Sequence, residues 1–259
     1  SSRRRHTRFR NVTGVQTCAL PILIFNNKFI YPTSSRALFD GERHYDVNTE
    51  KLPSVTTILQ ATQPEEKRLA LEAWKQKVGI DTADKVKNDA ATRGTAMHTH
   101  LEKFLLGEGY LDLTTEGQAS RTMAQQIIDN GLKNRLSEFF GLEVTLYYPD
   151  LYAGATDVVG IYDGAESIVD FKQSNKTKRR EWIEDYKLQL AAYAEAHSKH
   201  YGEIEGGVVL MCSRDLQFQS FEIFGDQMKL WKDRWWKKYE EYKTITKSEP
   251  LPLKSEQKV

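Results

Sequence analysis

Residues 154–174 read GATDVVGIYDGAESIVDFKQS. Two runs rich in Val, Ile and Tyr or Phe flank the dipeptide Asp163-Gly164, the pair favoured in a two-residue hairpin turn because both central residues must take positive φ. With Tyr162 facing Ala165, counting back along one arm and forward along the other sets Asp157 opposite Asp170. Directly opposed residues hold their Cβ atoms about 4.5–5.5 Å apart, and like charges there repel. Lys172 emerges on the same face as Asp170, about 6.6 Å further along the strand, while Val169 and Phe171 turn to the other face and into packing. Two carboxylates and a lysine on one side of a hairpin suit a hard divalent cation, Mg²⁺ or Mn²⁺, which takes carboxylate oxygens and keeps room for phosphate. Such a cation stabilises phosphoryl charge and acidifies an attacking water, and a neighbouring lysine can orient that water or neutralise the developing charge. Read alone, the three charges would equally fit an ion pair on a surface hairpin.

Working outward, LEVTLYYP (142–149), YAGATDVVGIY (152–162) and SIVDFKQ (167–173) follow the period of 2 expected of successive strands. On the N-terminal side the period is that of helices. One helix is expected over 64–91, from Pro64, with Gly94 as an interruption, and a second from RGTAMHTHLEKFLLGEG, closed by Gly107. A third is expected over about 117–140, while KLPSVTTIL (51–59) reads as a short β-prone stretch or the start of a helix. On the C-terminal side a helix is expected over 181–201, then strands EGGVVLMCS and FQSFEIF, then a helix over 226–247. Its stripe Met228, Trp231, Trp235, Tyr239 and Tyr242 has core spacing, with stacking on single-stranded bases as the lesser alternative. The fold class is therefore α/β of the α+β kind, a mixed sheet flanked by helices and carrying its site on an antiparallel hairpin.

In order along the chain, His98 in RGTAMH, Asp157 in AGATD, Asp170 and Lys172 in DFK, and Gln189 with Tyr193 in QLAAY resemble the PD-(D/E)XK nuclease superfamily in its RecB-like exonuclease branch. Within that branch, mitochondrial genome maintenance and related phage exonucleases are the most similar, and PSVTTIL (53–59) fits that subgroup. The resemblance spans about residues 50–200 and implies a restriction-endonuclease-like core. It also implies metal ligation by Asp157, Asp170, His98 and the Phe171 carbonyl, with Lys172 as the catalytic lysine. Gln189 and Tyr193, one helical turn apart, would stand beside the scissile phosphate, and Glu143 would be a supporting acid. Asp150 spells the family's literal Pro-Asp, but its parity is opposite to that of Asp157, which is preferred. His100 is a nearby alternative to His98. DNA contacts are expected from Arg93, at the start of a helix, and from Lys176, Lys178 and Arg179 in the basic run KQSNKTKRR.

The bulk composition narrows the class. Thirty-seven basic and 36 acidic residues leave a net charge of +1, so any nucleic-acid surface must be local. Cys18 and Cys212 make neither a disulfide framework nor an iron–sulfur ligand set. No Gly-Lys dipeptide occurs, so no Walker A loop and no nucleotide cofactor is expected. No apolar run approaches bilayer length, and no membrane association is expected. Residues 1–39 hold seven basic residues and no acid; the first 22 read as a translated cloning scar or as an organelle-import extension. A single domain over 23–247 follows, helical over about 50–140 and carrying the catalytic sheet over about 141–247, with a frayed tail from 248. The expectation is a metal-dependent DNA exonuclease preferring single-stranded ends. A structure-specific endonuclease and a non-catalytic DNA-binding module are the alternatives.

Overall fold

A computed structural model describes residues 23–39 and 42–248; the N-terminal extension and the tail beyond Ser248 lie outside the described residues. A six-stranded mixed sheet in the order β1-β5-β6-β7-β8-β9 forms the centre. Its strands are β1 (Ile24–Phe25), β5 (Leu136–Tyr148), β6 (Tyr152–Tyr162), β7 (Ala165–Ser174), β8 (Gly206–Ser213) and β9 (Phe218–Phe224). β5, β6 and β7 form a meander. The turn between β6 and β7 is the expected one, with Asp163 at φ 47° and Gly164 at φ 85°, and Tyr162 faces Ala165. β7 and β8 run parallel, so the chain must cross over between them. That crossover is α5 (Glu184–His200), entered through a 3₁₀ turn over Arg180–Ile183.

The sheet is covered on both faces. One face, with Val159, Ile168 and Val209, packs on α5, α1 (Val55–Ala61) and α6 (Asp226–Ser248). Met228, Trp231, Trp235 and Tyr239 are buried there, so that stripe is core. The other face, with Val158, Val169 and Phe171, packs on α3 (Ile80–Leu105) and α4 (Thr115–Ile127). This is the alternation read from the sequence, with both faces apolar because both carry helices.

Two expectations are corrected. The helix break lies not at Gly94 but at Gly79, whose φ of 87° separates α2 (Glu65–Val78) from α3. Gly94 stays inside α3, where a helical glycine costs about 1 kcal/mol relative to alanine and is affordable in 26 residues of helix. The third helix does not run to 140: α4 ends at Ile127, a π turn over Ile128–Leu132 follows, and β5 begins at Leu136. Before residue 50, where the sequence reading assigned no element, strands are found. β2 (Ser34–Phe39), β3 (Glu42–Val47) and β4 (Glu50–Pro53) form a separate antiparallel sheet.

That small sheet buries Tyr45, Val47 and Leu52 against Ala153 of β6. It is pinned by a bridge between Ser54 and Ala153 and by hydrogen bonding between the Ser34 and Thr145 hydroxyls at 2.6 Å. Asn48 also donates to Tyr147 Oη at 2.9 Å. It therefore sits over the turn end of the β5–β6 hairpin, four residues along β6 from Asp157 at its contact with Ala153.

Candidate active site

The last pair of the β6–β7 ladder is Val158–Val169. One residue further, the Asp157 carboxylate accepts a hydrogen bond from the Phe171 backbone N–H at 2.5 Å, tying the separating strands together through a side chain. Asp157 and Asp170 are both buried, at 7% and 3% exposure, so their charges need partners. Asp170 has Lys172, whose ammonium forms an ion pair with its Oδ2. Asp157 has His98 of α3, whose Nδ1 stands 3.2 Å from Oδ1. Glu143 of β5 is 3.9 Å from the same nitrogen.

The other imidazole nitrogen fixes the tautomer. Nε2 of His98 lies 3.0 Å from the Phe171 carbonyl, which can only accept, so Nε2 carries a proton. Nδ1 is then the nitrogen left to face a cation, and the carbonyl orients the ring. The same carbonyl, expected as a ligand, keeps its second lone pair beside this bond. One donor atom each from His98, Glu143 and Asp157 lie within 4.8 Å of one another, a set of one imidazole and two carboxylates that fits a divalent cation. Glu143 thus joins the donor cluster rather than merely supporting it, while Asp170 is held by Lys172.

Glu143 is also strained. Its φ of 51° lies in the left-handed region, where a residue with a Cβ costs about 1–3 kcal/mol. The sequence carries no sign of this.

The electrostatics follow from burial and pairing. Burial opposes charge on His98, but Asp157 and Glu143 outweigh it and raise the imidazole to about 10. Burial likewise opposes charge on Asp157, yet His98, Lys172 and the Phe171 N–H hold it below the ordinary carboxylate range. Asp170 is pushed up to about 6, by burial first, with Lys172 working against the shift. Burial works against charge on Lys172, but Asp170 and Asp157 raise it, so it stays an ammonium. Glu143 is raised by burial.

These groups line one cavity of about 220 Å³ together with Gln189 and Tyr193 of α5. Gln189 Nε2 donates to Tyr193 Oη at 2.8 Å, and burial keeps the phenol protonated by raising it well above its usual value. Room for Tyr193 is made by Gly154 of β6: a Cβ there would stand 2.6 Å from the ring's Cε1 and 3.1 Å from its hydroxyl. The sequence reading passed over Gly154, as it did Arg36, Arg43, Tyr45, Ser54 and Thr56, which the small sheet and the start of α1 bring to the cavity. A signal for the two arginines existed. They flank Asp40-Gly41, the same hairpin dipeptide as Asp163-Gly164.

Other candidates fall elsewhere. Asp150 sits in the β5–β6 turn at φ 64°, its N–H donating to Glu50 at 2.6 Å. The buried His100 is turned away, its Nε2 3.1 Å from the Gly117 carbonyl. Arg93 is not at a helix start, since α3 begins at Ile80. Buried, it donates from Nε to Gln173 at 2.9 Å and from Nη2 to Asn175 at 2.8 Å, stapling α3 to the end of β7. Lys176 and Lys178 border a second cleft with Arg93, Trp182 and Tyr186, and Arg179 flanks it with its guanidinium 5.4 Å from the Trp182 ring centre. Tyr186 also meets Lys172 at 5.5 Å, so this basic cleft adjoins the cavity of Asp157 and Asp170.

The chain is 28% identical to mitochondrial genome maintenance exonuclease 1 of Mus musculus over 195 residues, which is 68% of this chain and 56% of that protein. The protein of the same name in Xenopus tropicalis is 30% identical over 63% of this chain and 49% of its own length. For Homo sapiens the figures are 28%, 63% and 50%. The chain is similar to mitochondrial genome maintenance exonuclease 1. The resemblance to exonucleases of this kind, first read from a handful of motif residues, thus extends over most of the sequence. The chain spans about half the length of these curated exonucleases. No family model matches it. A solved structure from Eubacterium rectale superposes with a TM-score of 0.40 at 11% identity, over 63% of this chain and 76% of that one.

Proposed function

We propose that this chain is a DNA exonuclease of the PD-(D/E)XK type that cuts phosphodiester bonds with Mg²⁺ or Mn²⁺ and prefers single-stranded ends. The observation that carries this reading is the meeting of His98, Glu143 and Asp157 donors within 4.8 Å, beside the Lys172–Asp170 pair and in one cavity. A divalent cation bound there supplies charge for the phosphoryl oxygens and lowers the pKa of water.

The chain's own groups do the rest. His98, oriented by the Phe171 carbonyl, offers Nδ1 once a cation displaces its proton, and Asp157 and Glu143 offer carboxylate oxygens. Lys172, kept charged by Asp170, neutralises charge that builds on the scissile phosphate or positions the attacking water. Gln189 donates to Tyr193, which leaves the Tyr193 O–H free to donate to a phosphoryl oxygen. Asp157 and Asp170 are buried, and in such surroundings each of these interactions is stronger than it would be in water.

The preference for single strands is supported by the adjoining basic cleft. Trp182 is 58% exposed there beside Lys176, Lys178 and Arg179, and an aromatic ring among cations is what stacks an unpaired base over a neutralised backbone. The relatives' name points to genome maintenance and makes mitochondria one compartment to test. Among the described residues no helix is long and apolar enough to cross a membrane.

The test is digestion of end-labelled linear and of circular single-stranded DNA with and without Mn²⁺. Metal-dependent loss of the linear strand alone, abolished by Lys172→Ala, supports the proposal. Cleavage of the circle would transfer it to an endonuclease. Binding without cleavage of either would refute catalysis.

A further inference from the structure

Arg36 of β2 and Arg43 of β3 lie on one face of the small sheet. Arg36 pairs across the ladder with Tyr45, and Arg43 with Leu38, so the two arginines are diagonal neighbours on the face that carries Tyr45 to the catalytic cavity. Both line that cavity beside three acids, Glu143, Asp157 and Asp170. Yet among the described residues neither guanidinium has an ion pair. The cations that meet the acids are His98 and Lys172.

Like charges on neighbouring positions repel, and an anion between them relieves the repulsion. A guanidinium fork matches phosphate oxygens, and two forks on one face of a rigid sheet, lining one cavity, suit a phosphate position. The rigidity is visible in the pins of that sheet: Ser34 to Thr145, Asn48 to Tyr147, and the Ser54–Ala153 bridge.

We propose that Arg36 and Arg43 form a second phosphate-binding position of the catalytic cavity, holding a phosphodiester group of the substrate strand next to the one that is cut. The inference rests on the nuclease reading for the identity of the ligand. In this role the arginines are positioning residues, and the small sheet exists to fix the strand's register over the metal donors.

The test uses the whole chain as wild type, as Arg36→Gln/Arg43→Gln and as Arg36→Lys/Arg43→Lys. Binding of a fluorescent single-stranded oligonucleotide is measured by anisotropy in EDTA at several salt concentrations, with a thermal melt of each variant. Both residues are exposed, so the variants are expected to melt as wild type does. The Gln pair should bind about tenfold more weakly, and its log–log salt slope should be shallower by about 0.7 for the one phosphate given up. The Lys pair should regain the slope, since charge is restored, and part of the affinity. Unchanged affinity and slope in the Gln pair overturn the proposal, as does a loss that the Lys pair does not relieve. Should the Gln pair melt early, Arg36→Gln and Arg43→Gln singly, each shifting the slope part-way, serve in its place. Cleavage of the same oligonucleotide by wild type with Mn²⁺ reports separately on the nuclease reading, so failure of one is not mistaken for failure of the other.

Discussion

Gly154→Ala puts a methyl group where there is no space. The added Cβ would stand 2.6 Å from Tyr193 Cε1 and 3.1 Å from its hydroxyl, about an ångström inside ordinary carbon contact. Tyr193 cannot swing aside cheaply, because its ring is only 3% exposed within the core between β6 and α5. Overpacking of this kind costs about 1–3 kcal/mol. For a chain of this size each kcal/mol lowers the melting temperature by about 2–4 °C, so a fall of about 2–12 °C is expected. The displaced ring also loses the 2.8 Å bond from Gln189, so cleavage should fall further than stability alone explains, at temperatures where the variant is fully folded. The assay is a thermal melt with a cleavage time course, repeated in a Tyr193→Leu background. There the smaller side chain leaves room, and Gly154→Ala should cost little more, a clear departure from additivity. A wild-type melting temperature for Gly154→Ala, or the same cost in both backgrounds, would refute the claim that this glycine exists to seat Tyr193.

Glu143→Gly should raise stability by about 0.5–1 kcal/mol while abolishing metal-dependent cleavage, because it relieves the φ of 51° and removes a donor; a lower melting temperature would show that the strain is not there. Mg²⁺ should raise the melting temperature, since it binds only the folded site. That increment should grow as the pH rises from about 6 to 9, because the cation must displace a proton from His98, whose folded pKa is about 10. In EDTA the sign is opposite. The imidazole's folded pKa is raised above its unfolded value of 6.5, so its contribution is full below 6.5 and is lost as the pH climbs through about 10. Calorimetry across that range with and without Mg²⁺ reads both trends, and a pH-independent increment would exclude His98 as a donor. Trp182→Ala should weaken single-strand binding by about 1–3 kcal/mol and leave duplex binding nearly unchanged, as read by anisotropy with matched oligonucleotides.

The hairpin of residues 154–174 was legible in the sequence because everything that sets it is local. Asp163-Gly164 takes positive φ cheaply and the period of 2 assigns faces, while the ladder stops at Val158–Val169, one residue short of the counted Asp157–Asp170 pair. The helix boundaries were less legible. Gly79 and Gly94 look alike in sequence, and whether a glycine breaks a helix depends on whether the neighbouring turns are packed. α3 is anchored around Gly94 by Met97, Leu101 and the Arg93 staple, whereas α2 on the far side of Gly79 buries no residue.

By itself the sequence determined the mixed sheet with helices on both faces, the hairpin that carries Asp157, Asp170 and Lys172, and the order of His98, Asp157, Asp170, Lys172, Gln189 and Tyr193. These depend on periodicity, turn chemistry and residue type, which are properties of short segments. Tertiary structure alone decided which donors meet. It drew Glu143 into the cluster through a strained backbone, turned the Phe171 carbonyl to His98, emptied space at Gly154, and hung Arg36 and Arg43 over the cavity on a sheet with little apolar pattern of its own. That sheet holds because Tyr45, Val47 and Leu52 find Ala153 more than a hundred residues away. No window of local sequence contains such a contact, and its free energy exists only once the chain has folded.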